Sequence, residues 1–262
     1  MKKFFTIFFI LLQTAALQAE IVETQVMVQV FDYLTPESMI VYDIDNTIME
    51  PAQALGSDQW FCHRIQEYKG WGFSYEDALE KALREWTAIQ SVTRVKLVEP
   101  GIDTIIQQLQ TQGYPMIGLT TRGLGISTRT IEQLETIGVD LSKTSPTQEE
   151  FHFMNNPHGV LFRGGILFTA GTDKGEAFKK FLSKSGYLPK RVLFINDKES
   201  HIKPVEKACH ELGIPFIGLR YGFTDLKVKS FPKHISDVQF HFFGHIMSDE
   251  AAEKILLNTA GH

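Results

Sequence analysis

Short apolar runs alternate with helical patterns along most of the chain, and three of the runs end directly at a polar residue. The runs and the residues that follow them are Met39–Tyr42 with Asp43, Tyr114–Leu119 with Thr120, and Arg191–Ile195 with Asn196 and Asp197. Apolar strands that alternate with helices favour a mainly parallel sheet covered on both faces. Polar chemistry in such sheets collects beyond the carboxyl ends of the strands. We therefore predict an α/β, Rossmann-like fold with helices on both faces and a polar site at one edge.

Other periodic segments predict the remaining elements. They are a short helix within 24–34, helices at Ile102–Leu109, Ser127–Ile137, Glu176–Leu182, Pro204–Leu212 and Ser248–Leu257, a hairpin over His158–Phe168 turned at Gly164–Gly165, and a fourth strand at Pro215–Leu219. The stretch after the first motif strand is mostly helical in pattern. We predict a small helical cap at 52–95, inserted into an α/β core made of 20–51 and 96–262.

The N-terminus has the parts of a secretory signal. Lys2 and Lys3 precede the apolar run Phe4–Leu12, and small residues follow. The run is shorter than the roughly 20 residues that a spanning helix needs. We predict a signal peptide at 1–19, cleaved after Ala19 or Ala16, with an uncleaved anchor as the alternative. Cleavage implies a periplasmic or secreted protein of bacterial origin without a stable membrane span.

Composition and charge indicate a globular protein and argue against nucleic acid as a partner. Hydrophobic residues make up 43% and charged residues 22%, which is typical of a globular chain with a sizeable core. The net charge of −5, without a run of basic residues, gives no broad attraction for nucleic acid.

Export permits a disulfide. Cys62 and Cys209 therefore leave two alternatives, a bridge or two buried, inert thiols.

Asp43 and Asp45 stand two residues apart just after the first apolar run. Two carboxylates at about 4 Å repel by roughly 4 kcal/mol at an effective dielectric near 20. Mg²⁺ removes that cost, because it prefers one or two carboxylates together with water and phosphate oxygens. Asp43 could then attack a phosphorus atom, while Asp45 protonates the leaving group and later activates water.

The segment Met39–Thr47 resembles the first motif of the haloacid dehalogenase-like (HAD) superfamily, Asp-x-Asp-x-Thr at the end of a hydrophobic strand. The resemblance implies an aspartyl-phosphate on Asp43 and a general acid/base at Asp45. It also implies Mg²⁺ binding by Asp43, by the backbone carbonyl of Asp45 and by Asp197.

Three further motifs follow in the order of that superfamily. The resemblance assigns phosphate binding to Thr120, a phosphate-binding and catalytic role to Lys174 at the start of a helix, and metal binding to Asp197. A cation in the first turn opposes the helix dipole, so a structural role is the less natural one for this lysine. The fourth motif departs from the common pattern of two acids. Asn196 precedes the aspartate and His201 stands four residues after it, with Glu199 between.

The favoured interpretation of these residues is a Mg²⁺-dependent phosphomonoesterase that acts on a small phosphorylated substrate. The departures in the fourth motif leave open a catalytically silent binding protein on the same fold. A phosphotransferase with an acceptor other than water also stays open. The retained Asp45 argues against a dehalogenase.

The predicted cap contains all three tryptophans of the chain. They could form a lid that excludes water and stacks on the substrate, or they could fill a small cap core. Trp60, Trp71 and Phe73 lie near chain turns, where a side chain can face the site, whereas Trp86 lies within a regular helix. We therefore predict Trp71 as a substrate-binding residue and Trp86 as a core residue.

Overall fold

The computed structural model describes residues 19–243, in which ten strands are arranged in two sheets. The strands are β1 (Ala19–Thr24), β2 (Ser38–Tyr42), β3 (Met49–Pro51), β4 (Val95–Leu97), β5 (Met116–Thr120), β6 (Phe151–Asn155), β7 (His158–Arg163), β8 (Ile166–Phe168), β9 (Arg191–Asn196) and β10 (Phe216–Tyr221). The large sheet has the order β1-β10-β9-β2-β5-β8-β7-β6, and β3 pairs with β4 separately. All neighbours from β1 to β8 are parallel, while β7 and β6 add an antiparallel edge. The predicted mainly parallel sheet is confirmed.

Helices cover both faces of the large sheet. The α-helices are α1 (Asp58–Gly70), α2 (Tyr75–Val92), α3 (Ile102–Thr111), α4 (Ser127–Thr136), α5 (Lys174–Ser185), α6 (Glu199–Glu211), α7 (Asp225–Lys229) and α8 (Lys233–His241). Side chains of α3 and α4 enter one core with Ile40 and Tyr42 of β2. Side chains of α5 and α6 enter the opposite core with Met39 and Val41. Successive residues of a strand point to opposite faces, so the uninterrupted apolar run of β2 supplies both cores.

Most predicted elements are present, with shifted ends. The leading segment is a 3-10 helix at Met27–Tyr33, and the predicted hairpin consists of β7 and β8. The sequence interpretation missed β1, a parallel edge strand, and β6. The predicted signal peptide, apart from Ala19, and the predicted helix at Ser248–Leu257 lie outside the described residues. No helix within 19–243 is long and apolar enough to cross a membrane.

The two helices α1 and α2 lie between β3 and β4 in the chain, beside the large sheet. Ser57 caps α1 by accepting from the Trp60 amide at 3.1 Å, and Ser74 caps α2 in the same way. The buried ring of Trp60 lies 5.4 Å from the ring of Phe240 in α8. The side chain of Gln239 accepts from the Leu55 amide at 2.9 Å. The inserted helices are therefore fastened to α8, the last described helix.

The two cysteines are free and lie on different helices. Cys62 is exposed on α1 and Cys209 is buried on α6. Burial, followed by the Glu206 carboxylate, raises the pKa of the Cys209 thiol to about 12. Of the two alternatives, the disulfide is absent from the structure, and only Cys209 has the expected character of a buried, inert thiol.

Candidate active site

The ends of three neighbouring strands bring the predicted polar residues to one edge of the sheet. β2 lies between β5 and β9, so Asp43, Thr120 and Asp197 follow or end adjacent strands. All three side chains are buried. Asp43 and Asp197 line a cavity of about 460 Å³. The topology therefore assembles residues that are up to 154 positions apart in the chain.

Lys174 is the first residue of α5 and donates from Nζ to Asp43 Oδ1 at 2.8 Å. Both side chains are almost fully buried, so each charge depends on the other for compensation. Asp173 begins the helix by accepting from the Glu176 amide at 2.8 Å. A Cβ atom at Gly175 would collide with the backbone carbonyl of Pro204 in α6. The missing side chain at that glycine thus lets α5 start close to α6, which fixes the position of Lys174.

Arg122 holds the carboxylate of Asp45 by two parallel hydrogen bonds, of 2.8 Å from Nε and 2.7 Å from Nη2. Its Nη1 donates to Thr130 and Gln133 of α4, so the buried guanidinium is itself fixed. The Arg122 amide donates to Thr120 Oγ1 at 3.2 Å. The sequence interpretation missed this arginine, although it directly follows the second motif as part of Thr120-Thr121-Arg122.

Asp197 is held on one side by Asn46, whose Nδ2 donates to its carboxylate at 3.3 Å. Gln59 of α1 in turn donates to Asn46 Oδ1 at 3.4 Å. Burial, followed by the nearby Asp43 carboxylate, raises the pKa of Asp197 to about 7. The site therefore contains two buried carboxylates, of which Asp43 is bonded to Lys174 and disfavours the charge on Asp197.

This donor set fits a hard divalent cation. Mg²⁺ binds oxygen ligands and relieves repulsion between close carboxylates. The carboxylates of Asp43 and Asp197 lie at adjacent strand ends, and the backbone carbonyl of Asp45 is two residues from the first of them. The residues that would hold Mg²⁺ are therefore the three predicted from the sequence.

The residues that replace a second acid in the fourth motif have separate environments. Asn196 accepts from the Lys198 amide at 2.8 Å, and its buried Nδ2 has no partner among residues 19–243. Glu199 is exposed and pairs with Lys203 at 2.8 Å, away from the cavity lining. His201 lines the cavity, and burial, followed by Lys174 and Lys198, lowers its pKa to about 3. His201 is therefore a neutral ring at ordinary pH.

An ion pair joins the fourth motif to the inserted helices. Lys198 Nζ lies 2.8 Å from Asp58 Oδ2 at the start of α1, and both residues line the cavity. Burial lowers the pKa of Lys198, but Asp58 and Asp197 outweigh that effect and the net shift is upward. The sequence interpretation assigned no role to either residue of this pair.

Besides Asp58, the helices α1 and α2 contribute a group of apolar side chains to the cavity lining, here called the wall: Phe61, Leu79, Leu83 and Trp86. The last three follow the spacing i, i+4, i+7 on one face of α2, and this spacing could have indicated them from the sequence. The indole of Trp86 is held by donating from Nε1 to the Gly56 carbonyl at 2.8 Å.

Trp71 lies outside the cavity lining, contrary to its predicted role in substrate binding. Trp71 directly follows the last residue of α1 and is 61% exposed. Its ring packs edge-on against the ring of Tyr68, with 5.2 Å between the centroids. The proximity of Trp71 to a turn predicts that its side chain faces the site. None of the residues 71–74, which join α1 to α2, lines the cavity. Trp86, predicted as a core residue, is buried and also faces the cavity.

Relatives of this chain are found in Chlamydia. A protein of Chlamydia muridarum named "Putative outer membrane protein" is 29% identical over 217 residues, which is 83% of this chain and 81% of the relative. A protein of the same name from Chlamydia trachomatis is 25% identical over 81% of this chain and 80% of its own length. One from Chlamydia pneumoniae is 21% identical over 94% and 93% of the two chains.

Solved structures with partial similarity include a haloacid dehalogenase-like family hydrolase from Streptococcus pneumoniae. It is 13% identical with a TM-score of 0.42, over 76% of this chain and 99% of that chain. The class C acid phosphatase from Bacillus anthracis is 14% identical with a TM-score of 0.36, over 84% and 85%. A family model described as "Protein of unknown function (DUF2608)" matches residues 20–253, and the chain belongs to that family.

Proposed function

We propose that this protein is an exported, Mg²⁺-dependent phosphomonoesterase that acts on a small phosphorylated substrate through an aspartyl-phosphate on Asp43. The observation that carries the proposal is the buried Asp43–Lys174 pair, whose carboxylate lines a cavity together with Asp197. The resemblance of four ordered motifs to the HAD superfamily supports the same chemistry. A carboxylate beside a fixed lysine is a nucleophile placed next to a cation that can receive a phosphoryl oxygen.

The first half-reaction transfers the phosphoryl group to the protein. Lys174 and the Thr120 hydroxyl hold phosphoryl oxygens, and the Asp43 oxygen that is not bonded to Lys174 attacks phosphorus. An O–P bond forms to Asp43 while the O–P bond to the alcohol breaks. Asp45 gives its proton to the departing alcohol oxygen. Bound Mg²⁺ supplies charge neutralisation between the phosphoryl group and the carboxylates of Asp43 and Asp197.

The second half-reaction regenerates the protein. Asp45, now ionised, takes a proton from water, and the water oxygen attacks phosphorus. The bond to Asp43 breaks and inorganic phosphate leaves. The bidentate contact with Arg122 holds the Asp45 carboxylate in one orientation for this step. Side chains of the inserted helices line the same cavity and would limit access of bulk water to the site.

A second candidate is a phosphate-binding protein without turnover. The observation that favours it is the engagement of both Asp45 oxygens by Arg122, which occupies the carboxylate that must carry a proton. The single acid of the fourth motif points the same way, because Asn196 stands where many HAD members carry another carboxylate.

Export is part of the proposal. It is supported by the basic start and short apolar run before residue 20. The name of the Chlamydia relatives, "Putative outer membrane protein", also supports export. Sequencing the N-terminus of protein recovered from an extracytoplasmic fraction should give a start near Glu20 or Leu17, whereas an intact Met1 on cytoplasmic protein would contradict export.

The test of the enzymatic proposal is an assay of residues 20–262 on a mixed panel of phosphomonoesters, with Asp43→Asn as the matched variant. We expect phosphate release that a chelator abolishes and Mg²⁺ restores, and we expect none from the folded variant. Full activity of Asp43→Asn, or of metal-free protein, would overturn the mechanism. Binding of phosphoesters by calorimetry, without release of phosphate under any condition, would select the second candidate.

A further inference from the structure

The cavity has a charged floor and an apolar wall. Asp43, Asp45 and Asp197 form the floor. The wall is made by apolar side chains from three separate segments of the chain: Phe61, Leu79, Leu83 and Trp86 from the inserted helices, Leu124 after β5, and Pro157 between β6 and β7. A phosphate ester that places its phosphoryl group on the floor must direct its organic group towards this wall.

The charged groups above the floor are already engaged. Within the described part of the chain, Arg122 is paired with Asp45, and Lys198 is paired with Asp58. The polar side chains that remain in the lining are Thr121, His158 and His201. A substrate with several hydroxyl groups would lose hydration at this wall, and a buried hydroxyl without a partner costs about 1–3 kcal/mol.

We propose that the substrate is the phosphate monoester of a compact apolar alcohol, aryl or branched alkyl, and not of a sugar. This inference rests on the proposed function for the phosphoryl group, but its own basis is the apolar wall. The cavity of about 460 Å³ holds a phosphoryl group and an organic group of modest size. The indole of Trp86, fixed by Gly56 and covered on one side by the Arg122 guanidinium at 5.2 Å, adds apolar surface to this wall.

The first experiment compares phenyl phosphate and isobutyl phosphate with glucose 6-phosphate and adenosine 5′-monophosphate. We expect kcat/KM to be at least about tenfold higher for the two apolar esters, the low end for one unmatched group in an apolar pocket. Higher kcat/KM for the sugar phosphate or the nucleotide would overturn the inference and leave the proposed phosphatase intact.

The second experiment alters the wall. Leu83→Gln places an amide on the cavity face of α2, whereas Leu226→Gln makes the same change at a leucine of α7 that is 79% exposed and outside the lining. We expect the ratio of kcat/KM for phenyl phosphate to that for methyl phosphate to fall about tenfold in the first variant, as for loss of an apolar contact, and to stay unchanged in the second. An unchanged ratio in both variants would overturn the inference.

A binding measurement separates this inference from the proposed function. If residues 20–262 release no phosphate from any ester, calorimetric titration with phenyl phosphate and with glucose 6-phosphate still tests the wall. We expect at least about tenfold tighter binding of phenyl phosphate. Equal affinities, or tighter binding of glucose 6-phosphate, would show that the wall does not select apolar groups.

Discussion

The floor and the wall of the cavity hold their side chains by different means. On the floor, Asp43 and Asp45 each contact one buried cation, and both cations are fixed by further packing or hydrogen bonds. On the wall, Leu83 is 45% exposed and contributes only apolar contact. The floor is formed at the ends of parallel strands, whereas the wall is mainly the face of one inserted helix.

This difference assigns the chemistry of the reaction to the floor and the choice of substrate to the wall. A buried ion pair leaves an uncompensated charge when one partner is removed, so the floor tolerates few substitutions. A helix face changes its shape or polarity residue by residue with small effects on stability. We therefore expect substitutions on the floor to act on kcat or folding, and substitutions on the wall to act on the choice of ester.

After the complete loss of activity expected for Asp43→Asn, the largest effect is expected at Asp45. Asp45→Asn removes the proton donor and the bidentate acceptor of Arg122, and kcat should fall at least about 100-fold, the low end for general acid–base help. The control is Glu199→Gln, which removes an exposed carboxylate paired with Lys203. Steady-state kinetics on phenyl phosphate should show normal kcat for the control. A kcat for Asp45→Asn within a factor of three of the parent protein would exclude the acid/base role.

The next effect is expected beneath the floor, at Gly175. Gly175→Ala forces a methyl group against the Pro204 carbonyl, separates α5 from α6 and displaces Lys174. The free energy of unfolding should fall by about 1–3 kcal/mol, the usual cost of overpacking. Gly70→Ala is the matched control, because a Cβ atom there has no neighbour within 4 Å. Urea titration should show unchanged or slightly higher stability for the control, and equal stability of Gly175→Ala would refute the close-approach argument.

The floor was largely predictable from the sequence. Asp43, Thr120 and Asp197 each follow or end an apolar run, and parallel strands place their carboxyl ends at one edge. Lys174 was found by its position at a helix start, where a cation is otherwise unfavourable. The ends of strands can be recognised from the local sequence. Residues far apart in the chain can therefore be predicted to lie close together without knowledge of their contacts.

The wall and its supports were not predictable in the same way. Trp71 lies between two glycines at a turn and Trp86 lies within α2, and only the packing of these helices decides which ring meets the cavity. The side-chain partners of Arg122 lie on three different segments, from Asp45 to Gln133, so their arrangement depends on tertiary packing. β1 was missed because its sequence, Ala-Glu-Ile-Val-Glu-Thr, begins at the predicted end of a signal peptide.

A smaller effect is expected from pH, through His201 at the edge of the floor. Its folded-state pKa of about 3 lies below the ordinary value of 6.5, so the unfolded chain binds a proton more readily. Stability is therefore lost as pH falls below about 6.5, by on the order of 1–2 kcal/mol by pH 5 for this group.

His201→Asn removes that contribution, so its melting temperature should fall less between pH 7 and pH 5 than that of the parent protein. His210→Asn, an exposed histidine of the same helix, is the control. Melting is measured in excess chelator so that metal binding adds no pH dependence of its own. Parallel curves for the parent and His201→Asn would contradict the neutral state of the ring.

The smallest effect is expected from a comparison of Trp86 with Trp71, two of the three tryptophans in this part of the chain. Trp86→Phe keeps an aromatic ring but loses the bond from Nε1 to Gly56, whose carbonyl still accepts from Gln90. The free energy of unfolding should fall by about 1 kcal/mol, the typical net value of one hydrogen bond. Trp71→Phe keeps the edge contact with Tyr68 at an exposed position and should change stability by less than about 0.5 kcal/mol. The same variants measured on phenyl phosphate should show a higher KM only for Trp86→Phe, because that ring alone of the two lines the cavity. A higher KM for Trp71→Phe with a normal KM for Trp86→Phe would show that the substrate contacts Trp71 and not the wall that contains Trp86.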